Sequence, residues 1–165
     1  DLEMFNEAAA IQPMDEHPLR GTFEAADWNY TLKKPVKDPE KPLMLELATS
    51  QEGYAKGVDA TTGLPAENYG NYGVIYKVNF TVAGKKPVSF ILNPIGGPFA
   101  GYGVLENKTK GERQLVALPE QTVCLGSKIE EAIELAQLKA GDYSFIWSPP
   151  GASNLPVQLI WEKVE

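Results

Sequence analysis

Apolar and polar residues alternate most regularly in the middle of the chain. Between Val74 and Val82 every second residue is apolar, and mostly polar residues such as Lys77 lie between them. A period of two over nine residues predicts a β-strand with one buried face. Residues 84–87, which read Gly-Lys-Lys-Pro, then predict a turn into a second apolar run at 88–92. We expect this run to be the hairpin partner of the first strand.

Shorter segments of similar character recur along the chain after position 20. They predict strands at 23, 28–32, 43–47, 100–106, 114–118, 121–125, 143–147 and 157–161. Glycine- and proline-rich turns separate these segments, and no alternation of strands with helices is visible. The spacing therefore predicts an all-β fold, either an antiparallel β-sandwich or a jelly roll.

Two segments depart from the strand pattern. Residues 1–11 predict a short helix, which the proline at position 13 would end. Residues 129–138 are compatible with one face of a helix and equally with a strand, and the sequence leaves both interpretations open. We therefore expect at most one or two short helices in the protein.

Two long segments are rich in turn-forming residues. Residues 33–42 contain three prolines among charged residues, and residues 49–71 contain repeated glycine, asparagine and threonine. Both predict loops, and a loop as long as the second usually has a function. Residues 1–20 precede the first strand and predict an N-terminal arm, which leaves 21–165 as a single β-sandwich domain.

Charge and hydropathy exclude two classes of partner. The chain carries 15 lysines and arginines against 22 aspartates and glutamates, which gives a formal net charge of −7. This acidic balance excludes a role in nucleic-acid binding, since contacts with phosphates require a basic face. No apolar run approaches the roughly 20 residues needed to cross a bilayer, so we expect no membrane span.

Scarce residues exclude several kinds of active site. His17 and Cys124 are the single histidine and the single cysteine of the chain. Zinc and copper centres require several histidines or cysteines, so one chain cannot supply such a site. His17 lies in the predicted arm, and no nucleophile elbow is present for a Ser-His-Asp triad. We therefore expect the protein not to be an enzyme.

Five strings in the chain are distinctive as an ordered set. They are Arg-Gly-Thr-Phe at 20–23, Gly-Val-Asp-Ala-Thr-Thr-Gly at 57–63, Asn-Tyr-Gly-Asn-Tyr-Gly at 68–73, Leu-Asn-Pro-Ile-Gly-Gly at 92–97 and Gly-Ala-Ser-Asn-Leu-Pro-Val at 151–157. In this order they resemble an uncharacterised secreted β-domain family of Gram-positive (Firmicute) bacteria. That family is often associated with copper amine oxidase N-terminal-like stalk modules.

The resemblance implies a β fold and an extracellular or cell-surface location. It does not imply oxidase chemistry, because copper amine oxidases bind copper through a histidine triad and this chain has one histidine. The glycines and asparagines of the five strings also have a purely structural interpretation, in which they form the turns of the scaffold.

The turn-rich segment 49–71 contains a candidate calcium site. The side-chain oxygens of Asp59, Thr61, Glu67, Asn68 and Asn71 are hard ligands of the kind that calcium prefers. Their order is not that of an EF-hand. An Asx-turn at Asp59 would explain part of the pattern without an ion. Calcium is the only cofactor that the sequence suggests.

Tyrosines in or beside the glycine-rich loops are candidate ligand-binding residues. Tyr54, Tyr69, Tyr72 and Tyr102 belong to this group. Exposed phenol rings near asparagine and aspartate can stack on sugar rings and hydrogen-bond their hydroxyls. In the alternative interpretation these rings cover the ends of the sandwich. The three tryptophans, by contrast, lie in predicted strands and are expected in the core.

Two functions follow from these observations. In the first, the protein is a non-enzymatic structural or adhesive subunit of the cell surface that assembles with copies of itself, in the sharpest form into fibres. The arm, with Leu2, Met4, Phe5 and Ile11, and an edge strand would make the contacts. In the alternative, the protein is a carbohydrate-binding module that uses the loop tyrosines to bind a cell-wall or surface glycan.

Overall fold

The computed structural model describes residues 21–23, 27–118, 131–151 and 153–164, and these residues contain thirteen strands and no helix. The strands are β1 (Gly21–Phe23), β2 (Asp27–Thr31), β3 (Val36–Lys37), β4 (Leu43–Leu47), β5 (Ala55–Asp59), β6 (Pro65–Asn68), β7 (Ile75–Ala83), β8 (Val88–Asn93), β9 (Gly101–Asn107), β10 (Glu112–Leu118), β11 (Ile133–Leu138), β12 (Gly141–Trp147) and β13 (Val157–Lys163).

Two main sheets form the body of the protein. The larger has the strand order β10-β9-β12-β7-β2, with β3 also paired to β7, and the smaller has the order β11-β8-β13-β4. A third, short sheet has the order β1-β5-β6. The inner faces of the main sheets pack on each other, which confirms the all-β sandwich predicted from the alternation pattern.

Aromatic rings from both sheets meet in the core. The ring of Phe80, on β7, lies 5.3 Å from Phe90 of β8 and 5.1 Å from Trp161 of β13. Trp147 and Trp161 are buried as predicted, whereas Trp28 is half-buried and packs edge-on against Tyr76. Two of the tryptophans thus belong to the core, and Trp28 lies at its edge.

The predicted hairpin of β7 and β8 is wrong. β7 is flanked by β12 on one side and by β2 and β3 on the other, so both of its edges are occupied. β8 instead pairs with β11 and β13 in the opposite sheet. Residues 84–87 therefore cross between the two sheets, and alternation alone cannot distinguish such an arch from a hairpin turn.

Three segments contain strands that the sequence analysis did not assign. Residues 133–138 form β11, which resolves the helix-or-strand ambiguity over the described part of 129–138 in favour of a strand. The predicted loop 49–71 contains the hairpin of β5 and β6. The predicted loop 33–42 contains β3.

Two pairings, both with β7, depart from the predicted antiparallel arrangement. β2 and β3 both run parallel to β7, with Asp27 opposite Ile75 and Val36 opposite Val82. They are two halves of a single edge strand that is interrupted at residues 32–35. The predicted arm 1–20 and the predicted strand 121–125 lie outside the described residues.

Candidate functional site

Three of the four predicted tyrosines line one groove. Tyr54, Tyr69 and Tyr72 lie along a groove of about 540 Å³ at the end of the sandwich where β7 begins, and we call it the tyrosine groove. The fourth, Tyr102, lies on β9 with its side chain 66% exposed and does not line this groove. The structure thus divides the predicted set into a cluster of three and one separate ring.

Tyr54 and Tyr69 form an aromatic pair on one wall of the groove. Their ring centroids are 4.7 Å apart and the rings are tilted by 44°. Tyr69 is 49% exposed, whereas Tyr54 is half-buried. Partial burial, together with the hydrogen bond to Tyr69, raises the pKa of the Tyr54 hydroxyl, so it remains a neutral donor and acceptor.

Tyr72 is held by the loop that carries it. The Asn68 side chain accepts a hydrogen bond from the Tyr72 backbone N–H at 3.2 Å and donates one to the Tyr72 carbonyl at 2.8 Å. The Tyr72 ring also lies over Gly70, where an added Cβ would come within 2.8 Å of Cε2 of the ring. Gly70 has a φ of +97°, so the close approach and the backbone both require glycine here.

Asn71 connects this loop to the rest of the fold. Its side chain is buried, and its φ of +50° lies in the left-handed region. The side-chain oxygen accepts a hydrogen bond from the Ala55 N–H at 2.8 Å. The amide nitrogen donates to the Tyr76 hydroxyl at 2.9 Å and to the Gly53 carbonyl at 3.3 Å. Asn71 therefore fixes the base of the tyrosine groove.

The second wall comes from residues that the sequence analysis did not single out as site residues. Asn154 and its neighbours up to Pro156 line the groove together with the tyrosines. Ser153 anchors this wall, since its buried hydroxyl exchanges hydrogen bonds with the backbone of Ala100 at 3.0 and 3.2 Å. The Asn154 N–H adds a bond to the Pro98 carbonyl at 2.7 Å.

Three of the five distinctive strings converge at this site. The strings 68–73, 92–97 and 151–157 are far apart in the chain, but each contributes residues to the tyrosine groove. These strings were identified from the sequence, but only the fold brings them together. Within them, the buried polar side chains hold the loops, and the exposed ones face the groove.

The predicted calcium ligands are divided between two places. Asp59 and Thr61 lie at the turn of the β5–β6 hairpin, where the Asp59 carboxylate accepts a bond from the Thr61 N–H at 2.7 Å. Asn68 pairs with Ala55 at the other end of the hairpin, four residues and about 13 Å along β5 from Asp59. A single ion therefore cannot contact all five predicted ligands. The described residues contain no group of three or more histidine, cysteine or acidic side chains arranged for a metal.

The buried Tyr76 and the half-buried Tyr30 give the protein a predicted pH dependence. Burial raises the pKa of Tyr76 above its ordinary value of 10.0, and burial plus a hydrogen bond to Glu52 raises that of Tyr30. Below pH 10 both rings are protonated whether the chain is folded or unfolded. Above pH 10 the two tyrosine hydroxyls ionise readily in the unfolded chain only. The free energy of unfolding should therefore fall as the pH rises.

The measurement is urea unfolding at about pH 9 and about pH 11, for the natural protein and for Tyr76→Phe. We expect the natural protein to lose more stability over this interval than Tyr76→Phe. Lysine titration is common to both proteins and cancels in the comparison. Equal losses would contradict the assignment of this pH dependence to Tyr76.

The groove combines aromatic faces with a polar rim. Besides the tyrosines, Glu46, Thr49, Ser50, Gln51 and Asn154 supply side-chain donors and acceptors around it. Among the described lining residues there is no lysine or arginine. Such an arrangement suits a neutral ligand with one apolar face and many hydroxyl groups.

No protein-family model, no curated protein and no solved structure matches the chain. The described residues contain no helix of the length and apolarity required to span a membrane. The four arm residues predicted to mediate assembly lie outside the described residues.

Proposed function

We propose that the protein is a non-enzymatic adhesive module that binds a neutral carbohydrate of the cell surface in the tyrosine groove. The observation that carries this proposal is the convergence of Tyr54, Tyr69 and Tyr72 on one groove with a polar rim. Its volume of about 540 Å³ lies within the range typical of small-molecule sites, about 300 to 1,000 Å³. The resemblance to secreted surface domains supports an extracellular or cell-surface location.

Sugars have a chemistry that matches this groove. A pyranose ring presents an apolar face of C–H groups and a polar edge of hydroxyls. The exposed ring of Tyr69, braced by Tyr54, offers an aromatic surface for the apolar face. Asn154 and the rim hydroxyls offer hydrogen bonds for the polar edge.

Charge favours neutral sugars over acidic ones. Glu46 lines the groove, and Glu67 lies close enough to Tyr54 to contribute to its raised pKa. An anionic glycan would meet these carboxylates without a compensating cation among the described lining residues. We therefore expect neutral glycans and N-acetylated sugars to bind, and uronic-acid polymers to bind poorly.

The test is a glycan array followed by titration of the best neutral ligand. Tyr69→Ala should weaken binding about tenfold or more, since stacking on the exposed ring is lost. Tyr102→Ala is the matched control, because it removes an exposed tyrosine outside the groove. It should leave the affinity unchanged.

Thermal unfolding of both variants checks that each is folded before the affinities are compared. Equal losses from Tyr69→Ala and Tyr102→Ala would contradict the assignment of the groove. Absence of binding to every neutral glycan on the array would contradict the function itself.

A further inference from the structure

A second groove lies at the opposite end of the sandwich, where β7 ends. Its volume is about 960 Å³, and four of its lining residues are lysines: Lys37, Lys85, Lys86 and Lys163. Asp38 and Glu40 are the two carboxylates among them. We call this feature the lysine groove. Its positive balance contrasts with the net charge of −7 of the chain.

Three segments of the chain bring the lysines together. Lys37 is opposite Ala83 in the parallel pairing of β3 with β7, and Lys163 is opposite Val88 in the pairing of β13 with β8. Lys85 and Lys86 belong to the arch between β7 and β8. Prolines and alanine between them, Pro39, Ala83 and Pro87, make part of the lining apolar.

Close packing of the Asp38 side chain on Gly84 connects the β3 side of the lysine groove to the arch. The Asp38 carboxylate lies over Gly84, where an added Cβ would come within 2.8 Å of its oxygen. Both residues have positive φ, +39° for Asp38 and +116° for Gly84. Such a conformation is uncommon for a residue other than glycine, so the packing here is specific.

A lysine rim around apolar surface suits an acidic segment that also carries apolar side chains. Residues 1–20 of this chain have that composition. They contain five acidic residues against Arg20 and one histidine, and Leu2, Met4, Phe5, Ile11 and Met14 are interspersed. The segment and the lysine groove are complementary in charge and in apolar character.

β2, the first main-sheet strand after this segment, begins at the end of the sandwich opposite the lysine groove. Gly21 is six residues from Asp27, which pairs with Ile75 at the start of β7. The lysine groove lies at the other end of β7, about 27 Å away along the strand. Asp27 and the lysine groove therefore lie at opposite ends of β7, and docking of the segment in the groove of a second copy would form an open chain.

We propose that residues 1–20 of one copy dock in the lysine groove of the next copy, which links the protein head to tail. This interaction uses the end opposite the tyrosine groove and does not depend on the glycan proposal. The lysines supply the attraction, so association should weaken as salt screens it.

The first experiment measures mass by light scattering at about 0.02 M and about 0.5 M salt. At low salt the mass should rise with protein concentration above the 18.0 kDa of one chain, and at high salt it should approach 18.0 kDa. A mass of 18.0 kDa at every concentration in low salt would overturn the proposal. A segment that docks in the groove of its own chain would also give this mass, so that arrangement counts against the proposal.

The second experiment is a charge exchange within the full chain. Lys85→Glu with Lys86→Glu should weaken association about tenfold or more, and Glu3→Lys with Glu7→Lys should do the same. All four changes together should restore association. Lys56→Glu with Lys110→Glu is the matched control, because it reverses two exposed lysines outside the groove and should have no effect.

If the variant with all four charge reversals associates again, the segment and the lysine groove are identified as binding partners. Association that is weakened equally by the control pair would show a general charge effect and overturn the docking. Association that neither reversal changes would overturn it as well. Urea unfolding of each variant distinguishes loss of association from loss of the fold.

Discussion

Replacing Asn71 with alanine should lower the free energy of unfolding by about 3 to 5 kcal/mol. The change removes the acceptor of the buried Ala55 N–H and the donor to Tyr76 Oη, and a buried group left without its partner costs about 1 to 3 kcal/mol. Alanine would also occupy a backbone with a φ of +50°, which costs about 1 to 2 kcal/mol. Urea unfolding measures the sum.

Two further substitutions separate these contributions. Asn71→Gly removes the same hydrogen bonds but accepts the positive φ, so it should be about 1 kcal/mol more stable than Asn71→Ala. Asn71→Asp keeps the acceptor for the Ala55 N–H and loses the donor to Tyr76. If Asn71→Ala cost less than about 1 kcal/mol, the described hydrogen bonds would not be the support of the tyrosine groove.

Replacing Trp161 with alanine should also cost about 3 to 5 kcal/mol, the usual range for removing a buried aromatic side chain. Trp161 is fully buried and touches a ring from each sheet, Phe80 at 5.1 Å and Phe90 at 5.2 Å. The resulting cavity would lie between the sheets, where rigid strands on both sides limit collapse. Thermal or urea unfolding would measure the loss.

Trp161→Phe is the informative control. Within the described part of the chain, the Trp161 Nε1–H is buried without a hydrogen-bond partner, and phenylalanine removes this group. The smaller ring lowers the free energy of unfolding, whereas removal of the buried, unpaired N–H donor raises it. The net loss in the free energy of unfolding should therefore be less than half of that for Trp161→Ala. A loss as large as that of Trp161→Ala would imply that Nε1 has a partner in solution.

Strands with one buried face were predictable because apolar residues at every second position mark the side of the strand that is buried. In β7, β12 and β13 every apolar residue that the pattern identified is buried, although Ser144 and Ile160, which fall between them in β12 and β13, are buried as well. The pattern contains no information on which strand pairs with which. For that reason the crossing of residues 84–87 between sheets and the parallel pairing of β2 with β7 could not be predicted from it.

β11 shows a different limit of sequence interpretation. A register shift between Glu134 and Ala136 interrupts its alternation, and Leu135 is buried at this irregularity. A bulge of this kind displaces the apolar positions from a period of two, which makes a short strand resemble a helical turn. Pairing with β8, a tertiary interaction, decides the outcome.

The candidate sites were predictable only in part. The tyrosines were identifiable because glycine-rich loops keep aromatic rings away from the strand faces. The part of the lining that contains Asn154 lies more than eighty residues further along the chain, so only folding brings it near the tyrosines. The lysine groove has the same property, since Lys37, Lys85 and Lys163 come from separate parts of the sequence.

The position of β13 has a consequence for the order of events during synthesis. β13 lies between β8 and β4 in its sheet, and Val157, Leu159 and Trp161 on its inner face are fully buried. Until residues 157–163 have left the ribosome, β4 has no neighbour within that sheet, and β8 has only β11. The sandwich therefore closes around a strand made late, and a nascent chain that stops before residue 157 leaves one side of the core exposed.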